Sequence, residues 1–304
     1  MLSTEQVIAR NAGMFSTDAA PALGLSKYRT PVQVWLEKTG QAQPVDLSGN
    51  EAVQMGHVME PVIARLYADK TGHELRYLGE YTGWHPEYQF MGSHYDYEVT
   101  GSHLVECKNF SANRRNEFGE EGSGDVPMDV LLQCIHEATV YQTDRVDVSV
   151  LFGGQQFCIF PVEVDETAKG KLIALEEEFW SKFVVPMKAP EPRTEEEARA
   201  LFRKDLGTAL TANTSLYTVV RRLHEIRDSI KGMETLETGL KAEIMGKLGG
   251  HSVLMSQEGN ILATWKRAKD SQTFDKALFE KENPSIYARY VRITEGSRRF
   301  LLKD

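Results

Sequence analysis

Asp96 and Glu106, with nine residues between them and Lys108 two positions further on, are the residues whose types and spacing could do chemistry. Alternate residues of a strand project from the same face, so Glu106 and Lys108 point the same way if 103–109 is extended. A turn at Gly101-Ser102 would bring Asp96 beside them from the preceding strand. Two carboxylates meeting there are hard oxygen ligands suited to Mg²⁺ or Mn²⁺. The lysine could position a water and offset charge developing on an attacked phosphate, and the Cys107 carbonyl could complete a metal shell. A surface cross-strand charge pair has the same spacing and contributes only about 0.2–1 kcal/mol. The flanking Val99, Leu104 and Val105 argue for a half-buried strand, where inward charge needs a reason.

The elements that must position these groups follow from periodicity and punctuation. Ala52, Met55, Met59, Val62, Ile63, Leu66 and Tyr67 recur at helical spacing over 51–71, and Gly72 stops that helix. Before it, 5–40 reads as a helical entry, a turn and a second helix opening at Pro31. Segments 74–83, 88–99 and 103–109 read as strands punctuated by glycine and proline. The polar stretch 111–126 reads as a mobile loop. A helix over 127–143, strands over 146–152 and 157–164, and a helix over 166–187 complete the first part. Two prolines within KAPEPR, with Pro186 just before it, mark a linker. Beyond it come a long helical stretch over 214–248, broken or kinked near Gly232 or Gly239, and a hairpin over 252–267 turning at Glu258-Gly259-Asn260. A short helix and a final strand, SRRFLLK, close the chain.

The 304 residues accommodate a domain of about 200 residues plus an appendage. The boundaries read as 1–190 and 195–304. No apolar run approaches the roughly 18 residues of a membrane span. The opening residues carry no basic stretch followed by an apolar core, so no secretory signal is read there. Three cysteines without CxxC spacing support neither a disulfide framework nor a cysteine metal site, and a cytoplasmic location is expected. The net charge of −9 argues against a general nucleic-acid coat, but it is uneven. Residues 191–304 hold 20 Lys+Arg against 17 Asp+Glu (+3), which leaves 15 against 27 (−12) for 1–190.

Several segments together resemble the YqaJ-type viral recombinase nucleases, relatives of lambda exonuclease in the PD-(D/E)XK superfamily. They run in order: Arg10 with GMFSTDAAPALGLSKYRTPVQVWLEKTG, then GHVMEPVIARLYADKTG, MGSHYDYEV, LVECKNF and VLLQCIHEATVY, closed by GGQQFCIFPVEVDE. The resemblance covers about 8–185. It implies an α/β (α+β) restriction-endonuclease-like core, a mixed central sheet flanked by helices, with a C-terminal helical and small α+β appendage. It makes Asp96 and Glu106 metal ligands and has Lys108 orient or activate the water. It brings Glu60 in to share a second ion, and sets Gln133 against the metal-bound water or the scissile phosphate. Arg10 and Ser16 match positions that grip DNA, including a terminal 5′-phosphate. His57 and His136 are read as neighbours, since Mg²⁺ prefers oxygen. Tyr95 stands where many relatives have a Pro-Asp-Gly turn, and Cys107 replaces a usual aliphatic residue without implying thiol chemistry.

The activity implied is a Mg²⁺- or Mn²⁺-dependent exonuclease using two ions, which degrades one strand of linear duplex DNA 5′ to 3′ and leaves 3′ overhangs for phage-type recombination. A ring-like homo-oligomer, a single-strand annealing partner and a phage or prophage origin are implied with it. An endonuclease or single-strand nuclease on the same fold, or a non-catalytic DNA-binding protein, are the other readings. In the tail, Trp265, Lys266, Arg267, Lys269, Arg298 and Arg299 mix basic and aromatic groups as a DNA-contact surface would, and as a solvated module would too.

Overall fold

The structure, a computed structural model, describes residues 4–42, 49–292, 294 and 296–303. The chain divides into two compact units between Arg203 and Lys204.

The first unit is built on a five-stranded sheet in the order β1-β4-β5-β6-β7. These strands span Leu75–Tyr77 (β1), Tyr97–Val99 (β4), Leu104–Phe110 (β5), Arg145–Phe152 (β6) and Gln156–Glu163 (β7). β5 and β6 run parallel and the other pairs antiparallel, giving the mixed sheet expected. A separate two-stranded sheet pairs β2 (Thr82–Trp84) with β3 (Gly92–His94). The two long strands read over 74–83 and 88–99 are therefore each split between two sheets. At Gly83, within β2, a side chain would collide with the Tyr95 ring.

Helices, beginning with the short α1 (Thr4–Ala12) and α2 (Ala19–Ala22), cover both faces. The parallel β5–β6 step needs a crossover, which α5 (Met128–Tyr141) supplies. Its Val130, Cys134 and Ala138 pack on Val146, Val148 and Val150, all buried. Alternation turns Asp147 to the opposite face. There α4 (Glu51–Thr71) lies over β5, with Ile63, Ala64 and Tyr67 buried. Met55 and Val62, which recur at the same helical spacing, are exposed. Asn50 caps α4, and Gly72 closes it at φ 74°. A buried polar knot fixes α4 to the sheet. Tyr67 Oη donates to Asp147 Oδ2 at 2.7 Å, and Arg145 grips the same carboxylate through Nε and Nη2 at 2.7 and 3.1 Å.

A second cluster joins α3 (Pro31–Lys38) to α6 (Glu166–Phe179) through Val32, Trp35, Leu36, Phe179 and Val184. Its polar centre is Asp18, wholly buried, with Lys38 Nζ at 2.5 Å and Arg29 Nη1 at 2.9 Å. Burial alone would raise the Asp18 carboxyl, but Lys38, Arg29 and Arg10 hold it well below the carboxylate range. Asp18→Asn is expected to lower stability by about 3 kcal/mol, because Lys38 is left buried without a counter-charge. A denaturant midpoint unchanged from the parent at pH 7 would refute this.

Segment 111–126 is anchored rather than free. Phe118 and Val126 are buried, Phe118 packs against Phe160 at 5.0 Å, and Arg114 pairs with Asp129 at 2.5 Å. The boundary also differs from the one read at the prolines. Helix α7 (Glu195–Leu201), opened by a Thr194 capping box, sets Ala200 and Leu201 against the second cluster.

The second unit holds α8 (Thr214–Leu248), a hairpin of β8 (Val253–Met255) and β9 (Ile261–Thr264), and two short helices, α9 (Lys276–Glu282) and α10 (Pro284–Tyr290). α8 is one uninterrupted helix of 35 residues, so Gly232 and Gly239 do not break it. A glycine weakens a helix by about 1 kcal/mol but removes no hydrogen bond. Residues 297–303 form no strand: no neighbouring edge among the described residues pairs with them. No helix among the described residues is long and apolar enough to cross a membrane.

Candidate active site

β5 carries the centre of the site. Glu106 pairs with Val148 in register and so faces α5, and Lys108 follows on the same side. The Lys108 ammonium donates to Glu106 Oε1 at 2.5 Å and to Gln133 Oε1 at 3.0 Å. Gln133 Nε2 donates to Glu106 Oε1 at 2.7 Å and to Glu137 Oε1 at 2.8 Å. This fixes the amide orientation: the flipped form would put its oxygen against two carboxylates. Asp96 does not lie within a strand as read but at the bend just before β4, and its Oδ2 accepts the Cys107 N–H at 2.8 Å. That bond ties the aspartate across to the strand bearing Glu106. Glu60 comes from α4, near enough for Glu106 to help raise its carboxyl.

Glu137 was not among the residues singled out from sequence. It is 1% exposed and accepts from Gln133, with the Ser16 hydroxyl near enough to favour its charged form. The signal was present: an acid four residues after Gln133 shares its helix face, and that face is otherwise apolar. Ser16 thus joins the network from a short 3₁₀ turn, Ser16–Asp18, and is buried. Arg10 lies one residue further, its Nη2 donating to Thr17 Oγ1 at 2.8 Å. The structure therefore links Glu137, Gln133, Glu106 and Lys108 in one hydrogen-bonded chain, with Ser16, Asp96 and Glu60 beside it. His136 points elsewhere: its Nδ1 meets the Glu176 carboxylate at 2.9 Å and its Nε2 the Gly92 carbonyl at 2.9 Å. His57 is exposed.

The electrostatics of the site are unbalanced. Glu60, Asp96, Glu106 and Glu137 face one ammonium. Burial and the Glu106 charge push the carboxyls of Asp96 and Glu137 well above their usual range, and that of Glu60 upward. Burial opposes the charge on Lys108, yet Glu106 and Asp96 outweigh it and hold the ammonium above its ordinary value. Burial, then Asp96, push the Cys107 thiol up, which leaves it protonated and inert. Excess buried oxygen charge is what a divalent cation relieves, and the donor set is of the hard type. Among the described residues no three carboxylate, imidazole or thiol groups already converge on one point. The reason is visible: Lys108 occupies Glu106 Oε1, and Asp96 Oδ2 is spent on the backbone. The residues fit a divalent ion once these side chains turn from their internal partners.

The sequence profile of the YqaJ-like viral recombinase domain matches residues 7–145, which includes every residue of this network. Residues 7–145 are thus similar to the YqaJ-like viral recombinase domain. The chain is 28% identical over 319 aligned positions to the uncharacterized protein YqaJ of Bacillus subtilis, across all of this chain and 95% of that protein. The fold is similar to that of an alkaline exonuclease from Laribacter hongkongensis, with a TM-score of 0.50 at 15% identity. That likeness covers 61% of this chain and 94% of the exonuclease. A mixed sheet flanked by helices is common to both.

The first unit should titrate in a diagnostic direction. Asp96 and Glu137 have folded values above their ordinary 3.8 and 4.5, so above those pH values the folded chain binds more protons than the unfolded chain. Stability must then fall as pH rises through the folded values. His136 acts in the same direction. Burial opposes its charge, but Glu176 raises it above 6.5, and its contribution is lost as pH rises past the folded value. Asp18 and Asp147 are depressed, so theirs is lost only as pH falls below about 3.8. In chelator, the melting temperature is expected to drop by on the order of 5 °C from pH 5 to pH 8. A rise over that interval would refute the carboxylate assignment.

Proposed function

We propose that this chain is a divalent-metal-dependent deoxyribonuclease that degrades one strand of linear duplex DNA, 5′ to 3′, leaving 3′ single-stranded overhangs for recombination. The observation that carries this reading is the meeting of Asp96, Glu106, Lys108 and Gln133 around one over-acidic point on β5. Asp96, Glu106, Glu60 and the Cys107 carbonyl would hold Mg²⁺ or Mn²⁺, two ions to the site. Bound there, such ions make water nucleophilic at neutral pH and offset phosphate charge.

The chain's own residues do the rest. Glu106 and Asp96 favour the charged form of Lys108 against its burial. It supplies positive charge and a hydrogen bond beside the attacked phosphate. Gln133 holds that ammonium through Oε1 and aligns Glu106 through Nε2. Glu137 and Ser16 keep the amide from turning over. Arg10 stands one residue from this chain as a phosphate contact. On this reading the first unit is the nuclease and residues beyond it an appendage. Duplex DNA with free ends is the substrate, a ring-like homo-oligomer the working form and a single-strand annealing protein the partner, in the cytoplasm of a bacterial host.

The test uses linear duplex labelled separately at each 5′ and 3′ end, with and without 5′-phosphate, and a closed circle in parallel. Early release of the 5′ label with Mg²⁺ and an intact circle is expected. Rapid cutting of the circle would end the exonuclease reading in favour of an endonuclease. Absence of cleavage with either metal would end the nuclease reading.

A further inference from the structure

α8 runs for 35 residues, about 50 Å, and is exposed along nearly all of its length among the described residues. Leu248 is its one buried residue. Its apolar side chains are nonetheless in strict order. Leu216, Val219, Leu223, Ile226, Ile230, Met233, Leu240 and Ile244 follow alternating steps of three and four, the a and d positions of a coiled coil, with Glu237 and Lys247 completing five heptads. Val219, Met233 and Leu240 are more than 60% exposed, far from the usual state of such residues in a long helix. Gly232, Gly239 and Gly246 recur every seven residues on the outer face, and each costs the helix about 1 kcal/mol. A lone helix so weakened is marginal in water, since most helical stability comes from packing an apolar face.

We infer that α8 pairs with α8 of a second copy of this chain as an antiparallel coiled coil. The charges beside the seam choose both occupant and direction. In a parallel pair, Arg222 would face Arg227 of the other copy, twice. In the antiparallel pair with full overlap, Ile230 packs on Met233 of the other copy and Leu223 on its Leu240. Arg222 then meets Glu243 and Arg227 meets Glu234, each contact repeated by the two-fold axis. Sliding one heptad either way brings Arg227 onto Arg227 or onto Lys241, so the full-overlap register is also the one the charges select. Glu237, the polar residue in the seam, holds Lys241 of its own helix at 2.5 Å, and its charge is compensated there. Two helices of this length cover on the order of 1,500 Å², the scale of a stable interface. This pairing lies wholly in the second unit and does not depend on the nuclease reading.

The test is sedimentation equilibrium of the full chain and of Arg222→Glu. The Arg222 side chain is 72% exposed, so the change does not threaten the fold. The antiparallel pair is expected to weaken roughly tenfold, as two attractions become repulsions, and to recover when Glu243→Arg is added. A parallel pair would tighten instead, because the carboxylate introduced at position 222 would then meet Arg227 of the other copy. Direction is read independently by cross-linking: a mixture of Leu223→Cys and Leu240→Cys chains should form the mixed dimer, and Leu223→Cys alone should not. Peptide mapping separates these links from Cys107, Cys134 and Cys158. A monomer across the accessible concentration range overturns the proposal. So does self-linking of Leu223→Cys, or an association indifferent to Arg222→Glu, which would place the interface elsewhere in the chain. Cleavage by the parent protein is scored separately, so loss of one reading leaves the other standing.

Discussion

Lys108→Ala is expected to reduce single-turnover DNA cleavage about 10³-fold while changing DNA affinity only a few-fold. The asymmetry follows from where the ammonium sits. Its donors are committed to Glu106 and Gln133, inside the site, rather than extended along a surface that tracks the phosphate backbone. A single phosphate contact is a small part of DNA affinity. A preorganised positive charge at the reacting phosphate is a large part of transition-state stabilisation, about 10²–10³ for one donor. Removing Lys108 also leaves Gln133 Oε1 without its donor and Glu106 without its one close counter-charge. Lys108→Arg should recover little, since a planar fork cannot occupy the place of a compact ammonium between two acceptors 2.5 and 3.0 Å away. Cleavage unchanged in Lys108→Ala would end the proposed mechanism. A loss of affinity as large as the loss of rate would move Lys108 from the chemistry to general DNA contact.

Much of this site was legible in the sequence because it depends on local periodicity. Glu106 and Lys108 share a face by strand alternation, and a seven-residue strand leaves no other arrangement. The turn at Gly101-Ser102 sets Tyr97 against Val105, and one step further brings Asp96 to Glu106. What the sequence could not show is what the groups touch across the fold. Glu137 and Ser16 lie 121 residues apart, and their meeting depends on how a 3₁₀ turn docks on α5. The Tyr67–Asp147 knot likewise joins a helix to a strand 80 residues away. The strands over 74–99 were misread because their apolar residues serve two different sheets, and hydrophobicity does not say which edge a strand joins. The tail was harder for another reason. Its seam residues have the spacing of a buried face, yet no partner among the described residues covers them, so periodicity announces an interface and leaves its second half unnamed.

Asp96→Asn should separate stability from activity most sharply: cleavage lost by about 10⁴-fold, with the metal-free protein more stable by about 1 kcal/mol. The gain comes from the same imbalance that suits the site to its task. Burial, Glu106 and Glu60 all disfavour charge on Asp96, so the fold resists the ionised aspartate. An asparagine keeps an oxygen for the Cys107 N–H, and turns a neutral amide toward the remaining carboxylates where a like charge stood. It also forfeits an anionic ligand, so the thermal upshift that Mg²⁺ or Mn²⁺ gives the parent should vanish in the variant. Melting curves in chelator and in each metal, with cleavage assayed on the same samples, check all three. If Asp96→Asn melted lower than the parent in chelator, the site would be held together by its charges rather than strained by them. The over-acidic pocket would then be a structural feature and not a seat for cations.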